Sequence, residues 1–144
     1  MKILVVLCHP REESLTAQVA NSFIKGAISN GNEVELVDLY KENFNPVLNI
    51  QDEPNDGNLL NYSQEVQFEF NRLNNNEAVV MIFPLWWWSM PAMLKGWVDR
   101  VWNYGLTYGE ASHNIKKGLL ISLAAHTQKA VSYTHLTLPT ILLV

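Results

Sequence analysis

Apolar positions along this chain fall into two kinds of block. Ile3-Leu4-Val5-Val6-Leu7 is a continuous apolar run without alternation, which is how a strand buried on both faces of a parallel sheet reads. After a polar turn, Leu15, Val19, Phe23, Ile24 and Ala27 recur at helical spacing. With Ser14 as N-cap and Gly31 as the stop, they predict a helix over 14–29. Val34, Leu36 and Val37 predict a short strand ending at Asp38. Residues 40–56, polar and broken by Pro46 and Pro54, predict a loop of a length that usually serves function. Leu59, Tyr62, Val66, Phe70 and Leu73 keep helical spacing and predict a second helix over 59–73, ended by Asn74-Asn75-Asn76. Ala78-Val79-Val80-Met81-Ile82-Phe83 is the strongest buried-strand signal, halted by Pro84, which cannot donate to a ladder. Ser89 is expected to cap a third helix with Pro91 in its first turn and a buried stripe of Met90, Leu94, Trp97, Val98 and Val101. Gly118-Leu119-Leu120-Ile121-Ser122-Leu123 predicts a fourth strand.

Strands alternating with helices define an α/β fold with an open, doubly wound parallel sheet and right-handed crossovers. Ligands of such sheets sit outside the carboxyl ends of the strands, where strand order reverses. Those ends are His9-Pro10, Asp38-Leu39, Pro84-Leu85-Trp86 and Ala124-Ala125-His126. Composition narrows the partners. The 144 residues amount to one domain, and a net charge of −4 removes the footprint expected of a nucleic-acid binder. A single cysteine, Cys8, fits a reducing compartment. The apolar run at the start stops within about six residues, too short for a membrane span or a signal peptide. The expectation is therefore a cytoplasmic protein with no membrane insertion.

The turn from His9 to Thr16 contains no glycine, so neither the dinucleotide fingerprint nor the phosphate loop is present. Free N–H groups at a helix start, with the hydroxyls of Ser14 and Thr16, nonetheless make a candidate phosphate site. On local spacing alone, an ordinary N-cap at Ser14 and a surface imidazole at His9 remain the competing account. Pro84-Leu85-Trp86-Trp87-Trp88-Ser89 closes the most buried strand, where backbone amides can face a planar ligand and indoles wall it in. Three adjacent Trp cannot all face one core, although one or two could belong to a cluster beneath the third helix. His126 stands open between ligand contact and solvated loop residue. Asp99 and Arg100 are expected to form an exposed local ion pair. The four histidines show no metal-ligand spacing, and Cys8 reads as a small buried hydrophobe rather than a nucleophile.

Three segments carry a resemblance: the opening Ile3 to Pro10, Asp38-Leu39-Tyr40 with Asn43-Phe44-Asn45-Pro46, and above all the block from Phe83 to Val101. Together they resemble the flavodoxin-fold NAD(P)H:quinone oxidoreductases, the DT-diaphorase-like family, over residues 3 to about 128. The resemblance implies a flavodoxin-like three-layer αβα fold and a flavin cofactor, FAD or in some branches FMN. It also implies NADH or NADPH as co-substrate, two-electron ping-pong reduction of quinone-like acceptors, and a homodimer with active sites between subunits. Carried over by position, His9, Ser14, Leu15 and Thr16 correspond to the flavin phosphate turn. Pro84, Leu85, Trp86, Trp87 and Trp88 correspond to the loop lining the isoalloxazine edge. Ala124, Ala125, His126 and Thr127 stand where the family often has Thr-Thr-Gly-Gly. Tyr108 matches an aromatic overhanging the partner subunit's substrate pocket, and the family's Tyr and His that assist hydride transfer have no counterpart here.

Relatives in that family continue to a fifth strand and a last helix. From 131 to 144 no residue is charged, Pro139 interrupts the apolar run, and Ser132-Tyr133-Thr134-His135-Leu136 resembles translated adapter sequence. The expectation is a flavin-binding domain over 1–130, incomplete at its C-terminal edge, followed by a non-native tail over 131–144. Two rival classes stand beside the enzyme: an ancillary or regulatory subunit with structural flavin, and a flavin-free interaction module.

Overall fold

A computed structural model describes residues 1–53, 57–110 and 113–125. Four parallel strands, β1 (Lys2–Leu7), β2 (Glu33–Asp38), β3 (Ala78–Pro84) and β4 (Lys117–Leu123), are arranged in the order β2-β1-β3-β4. β1 takes the centre because its apolar run has no polar face to give to solvent, and it pairs with both neighbours: Ile3 stands opposite Val34 on one side and Ala78 on the other. The chain steps from β1 outward to β2, then returns across β1 to β3. That reversal puts the switch point between the carboxyl ends of β1 and β3.

Strand alternation divides the core into two layers. Ile3, Val5, Leu7, Ala78, Val80 and Ile82 meet Ala17 and Ala20 of α1 (Leu15–Ser29). Leu4, Val6, Cys8, Val79, Met81 and Phe83 meet the other face. There α2 (Gln64–Asn74) contributes Val66, Phe70 and Leu73, and α3 (Ala92–Val101) contributes Leu94, Trp97 and Val101.

Two helix starts differ from the sequence expectation, each for a local reason. α2 begins at Gln64, because the Ser63 hydroxyl accepts the Val66 amide and caps it, while Leu59–Asn61 forms a single 3-10 turn bonded to the Asn58 side chain. α3 begins at Ala92 after Pro91, which offers no side-chain cap. The expected cap, Ser89, is held instead by two backbone bonds to Trp86. The fourth strand forms as expected, and Lys117, Gly118 and Leu119 are exposed on it; among the described residues β4 pairs with β3 alone.

The predicted Asp99–Arg100 pair is a further correction. Successive helical residues point about 100° apart, so Asp99 pairs with Lys95 one turn back on the solvent side, while Arg100 turns inward and is 2% exposed. Its guanidinium donates to Asp52 Oδ2 at 2.8 and 3.0 Å and to Ser63 Oγ at 3.2 Å, and it also bonds Glu65 and the Asn45 carbonyl. One turn before Arg100, Gly96 admits the long loop: a Cβ there would stand 2.2 Å from the Pro46 carbonyl oxygen. The loop between β2 and α2 is therefore clamped onto α3. Among the described residues no helix is long and apolar enough to cross a membrane. His126, Thr127 and the 131–144 segment lie outside the described residues.

Candidate functional site

At the β1 end of the switch point, the turn into α1 is built by its cap. Ser14 Oγ accepts the Ala17 amide at 3.1 Å and its carbonyl accepts Gln18 N–H at 3.0 Å. The amides of Leu15 and Thr16 find no acceptor among the described residues. The Thr16 hydroxyl is likewise without a hydrogen-bond partner there, although the residue is only 3% exposed. Two open amides with a hydroxyl at a helix N-terminus fit an anion such as phosphate. Ser14 itself is committed to capping, so the bland account of that residue holds while the phosphate account rests on its neighbours.

At the β3 end, Leu85 N–H donates to Leu123 O at 2.8 Å and ties the ends of β3 and β4 together. Trp86 and Ser89 then exchange two backbone bonds of 3.1 and 3.0 Å around Trp87 and Trp88, whose φ values are +49° and +63°. A two-residue turn with both central residues at positive φ is the I′ kind, which normally takes Asn or Gly. Two tryptophans there are strained, and such strain concentrates at ligand sites. The turn lifts Trp87 to 95% exposure, and none of the three indoles joins the buried core. Leu85, Trp86, Trp87, Trp88, Ala124 and Ala125 line a cavity of about 530 Å³, broad enough for a flat aromatic ligand.

His9 stands between the two halves. Its Nδ1 accepts the Arg11 amide at 3.0 Å, and its ring lies 6.1 Å from that of Trp86, tilted by 59°. Pro84 is buried as the last residue of β3. Leu15 is exposed at the helix start. Tyr108 is exposed on the loop after α3, edge-on to Tyr104 at 5.8 Å, and is not among the residues lining the cavity. Cys8 is fully buried. Burial drives its thiol up to about 12, Asp38 adds to the rise and a backbone bond at Leu94 only partly offsets it, so the group is inert at neutral pH.

A larger hollow of about 710 Å³ lies under the N-terminal half of β4, lined by Leu73, Val79, Met81, Val98, Trp102 and Leu120 among others. It sits at the wrong end of the strands for the switch-point site. Among the described residues no group of three His, Cys, Asp or Glu could hold a metal ion. The Arg100 clamp escaped the sequence reading, although Gly96 four residues earlier on the same helical face was a usable signal of a backbone pressed close.

Residues 1–138 match the family model described as flavodoxin-like fold. With that match and this site, the chain belongs to the flavodoxin-fold NAD(P)H:quinone oxidoreductase family. In solved structures it is similar to the NAD(P)H:quinone oxidoreductase from Methanothermobacter marburgensis, with a TM-score of 0.80 and 30% identity over 93% of this chain and 69% of that one. It is 46% identical over 110 residues to the uncharacterized NAD(P)H oxidoreductase YcaK of Escherichia coli strain K12, covering 76% of this chain and 56% of that protein. Against NAD(P)H dehydrogenase [quinone] 1 of Rattus norvegicus the identity is 30% over 141 residues, covering 83% and 52%. The chain thus spans about half the length of the curated relatives it matches.

Proposed function

We propose that residues 1–130 form a flavin-binding domain. We further propose that the whole protein is a cytoplasmic homodimer reducing quinone-like acceptors with NADH or NADPH, with FAD as the favoured flavin and FMN the other candidate. The observation that carries this is the meeting, at His9, of an open helix N-terminus bearing the unpartnered Thr16 hydroxyl with a Trp-walled cavity. In this reading the Leu15 and Thr16 amides and the Thr16 hydroxyl hold phosphate, with Ser14 keeping the turn in shape. The backbone of Leu85 to Trp88 and of Ala124 and Ala125 borders the ring, with His126 and Thr127 assigned to the same loop by resemblance. A bound flavin supplies the two-electron chemistry. The chain itself positions and shields: among the described residues the cavity-lining side chains carry no acid or base, and their work is to exclude water, orient flat molecules and present backbone dipoles. Tyr108 is assigned to the acceptor pocket of the partner subunit.

The test is to titrate the chain with FAD and FMN, then mix the loaded protein with NADPH followed by a quinone. Bleaching and recovery of the yellow colour supports the enzyme. Tight flavin without bleaching would move the protein to the ancillary class, and absence of binding would leave the flavin-free interaction module.

A further inference from the structure

We propose that Tyr62 is a positioning residue for the acceptor pocket: its buried hydroxyl, together with Gly57 and Asp52 of the same long loop, holds the turn over 103–109 and so fixes where Tyr104 and Tyr108 stand. The inference rests on the reading above in one respect, the assignment of Tyr108 to that pocket. Asp52 starts the brace. Its carboxylate takes the Arg100 guanidinium and the Ser63 amide, while its backbone carbonyl accepts Asn103 Nδ2 at 3.0 Å, and the same Nδ2 donates to the Arg100 carbonyl at 2.8 Å. Asn103 is 3% exposed, and its own carbonyl accepts the amides of Leu106 and Thr107 at 3.1 and 3.0 Å. Gly105 N–H closes the turn onto the Tyr108 carbonyl at 2.9 Å. Tyr62, itself buried, donates its hydroxyl to the Tyr104 carbonyl at 3.2 Å. Between these bonds Gly57 and Gly105, at φ +70° and +74°, lie backbone against backbone. A Cβ on Gly57 would stand 2.8 Å from Gly105 Cα, and one on Gly105 would strike Gly57 Cα. Only glycine permits both that conformation and that approach.

A connection from a helix to a strand ordinarily runs loosely over the surface. This one is tied by a side-chain bond, a carbonyl bond and a backbone contact, all from a segment 42 to 51 positions earlier. The ties do not end in the core. They end at Tyr104 and Tyr108, 39% and 54% exposed, whose rings stand edge-on with centres 5.8 Å apart. Holding an exposed aromatic pair in one place removes the entropy of ordering it when a flat molecule docks. Neither Tyr62 nor the turn is among the residues lining the Trp-walled cavity, so the brace acts on the acceptor and not on the flavin.

Tyr62→Phe keeps the ring in the core and removes only the hydroxyl. In the ligand-free 144-residue chain, amide hydrogen exchange at Gly105, Leu106 and Thr107, followed by NMR, is expected to run about fivefold faster in the variant, the worth of one hydrogen bond. Gly57→Ala should accelerate the same three amides by pushing Gly105 aside. The flavin-loaded protein is then given NADPH and a quinone. Tyr62→Phe should raise the quinone KM about fivefold, with flavin affinity and the rate of bleaching by NADPH unchanged. Unchanged exchange in Tyr62→Phe overturns the brace. Faster exchange with an unchanged quinone KM, or a KM change matched by an equal loss of flavin affinity, overturns the positioning role. If wild type binds neither FMN nor FAD, the flavin reading fails and the brace is judged by exchange in the two variants: acceleration at Gly105, Leu106 and Thr107 supports it, and none overturns it.

Discussion

Replacing Trp87 by Asn should move stability and cofactor affinity in opposite directions. Trp87 sits at φ +49° in a turn whose geometry suits Asn, and at 95% exposure its indole leaves almost no packing to lose. A non-glycine residue held in the left-handed region costs on the order of 1–3 kcal/mol, and Asn pays much less of it, so a gain of about 1 kcal/mol is expected. For a chain of this size that corresponds to a rise of about 3 °C in thermal midpoint, measured by circular dichroism on the ligand-free protein. If the indole walls the flavin, its loss removes about 1 kcal/mol of aromatic contact and weakens binding about fivefold in a fluorescence titration. Trp87→Ala separates the two effects, since it loses the ring but keeps a residue poorly suited to positive φ. A lower midpoint in Trp87→Asn would show that the indole supports the fold. Unchanged flavin affinity with a raised midpoint would remove Trp87 from the site.

Thr16→Glu sets a carboxylate at the helix start where an anion is proposed, and flavin affinity should fall steeply while the far-ultraviolet spectrum holds; full flavin occupancy would contradict the phosphate assignment. Arg100→Met leaves the fully buried Asp52 carboxylate without its cation and should cost about 3–5 kcal/mol in urea unfolding; a loss under about 1 kcal/mol would refute the clamp. Burial alone would raise the Asp52 pKa, but the Ser63 amide and hydroxyl and the Arg100 guanidinium outweigh it and hold the carboxyl below its usual range. Its contribution is then fully present above the unfolded value of about 4 and lost as pH falls through the folded one, so the stability gap between wild type and Asp52→Asn should shrink between pH 7 and about pH 3.

Much of the fold was legible because its elements announce themselves locally. The unbroken run at 3–7 and the run at 78–83 could only be strands covered on both sides, and β1 and β3 are the two central strands of the described sheet. The helix stripes were legible for the same reason, whereas their starts were not, because caps are decided by single side chains. Ser63 and Ser89 look alike in sequence, yet one bonds the Val66 amide and the other is consumed by the turn with Trp86. The clamp was illegible for a different reason. Arg100 reads as a surface residue until a loop from 55 positions earlier brings it the Asn45 carbonyl, and Asp52 and Glu65 arrive with that loop and with α2. Charge pairing across such distances has no local periodicity. For the candidate site, the positions at the strand ends could be read, but not the positive φ of Trp87 and Trp88 or the bond from the Arg11 amide to His9.

The polar groups of this fold sort by whether the fold itself uses them. Arg100 is enclosed and bonded to four different residues, and Glu69, whose carboxyl burial holds above its usual range, is bonded by the Trp97 indole and Arg72, which offset only part of that rise. Such groups serve the structure, because leaving any of them unpaired would cost more than the fold can absorb. Thr16 is buried to a similar degree, yet its hydroxyl is unpaired, and it stands beside two open amides at a helix start. Trp102 Nε1 shares the lack of a partner but is sealed from solvent, so no ligand reaches it without a shift of the structure. The Thr16 hydroxyl sits instead at the switch point, together with a turn that tolerates strain at two tryptophans. Unspent hydrogen-bonding capacity and unrelieved strain at the same end of the same two central strands are what an external ligand would resolve together, which is why the assignment rests on their coincidence and not on either alone.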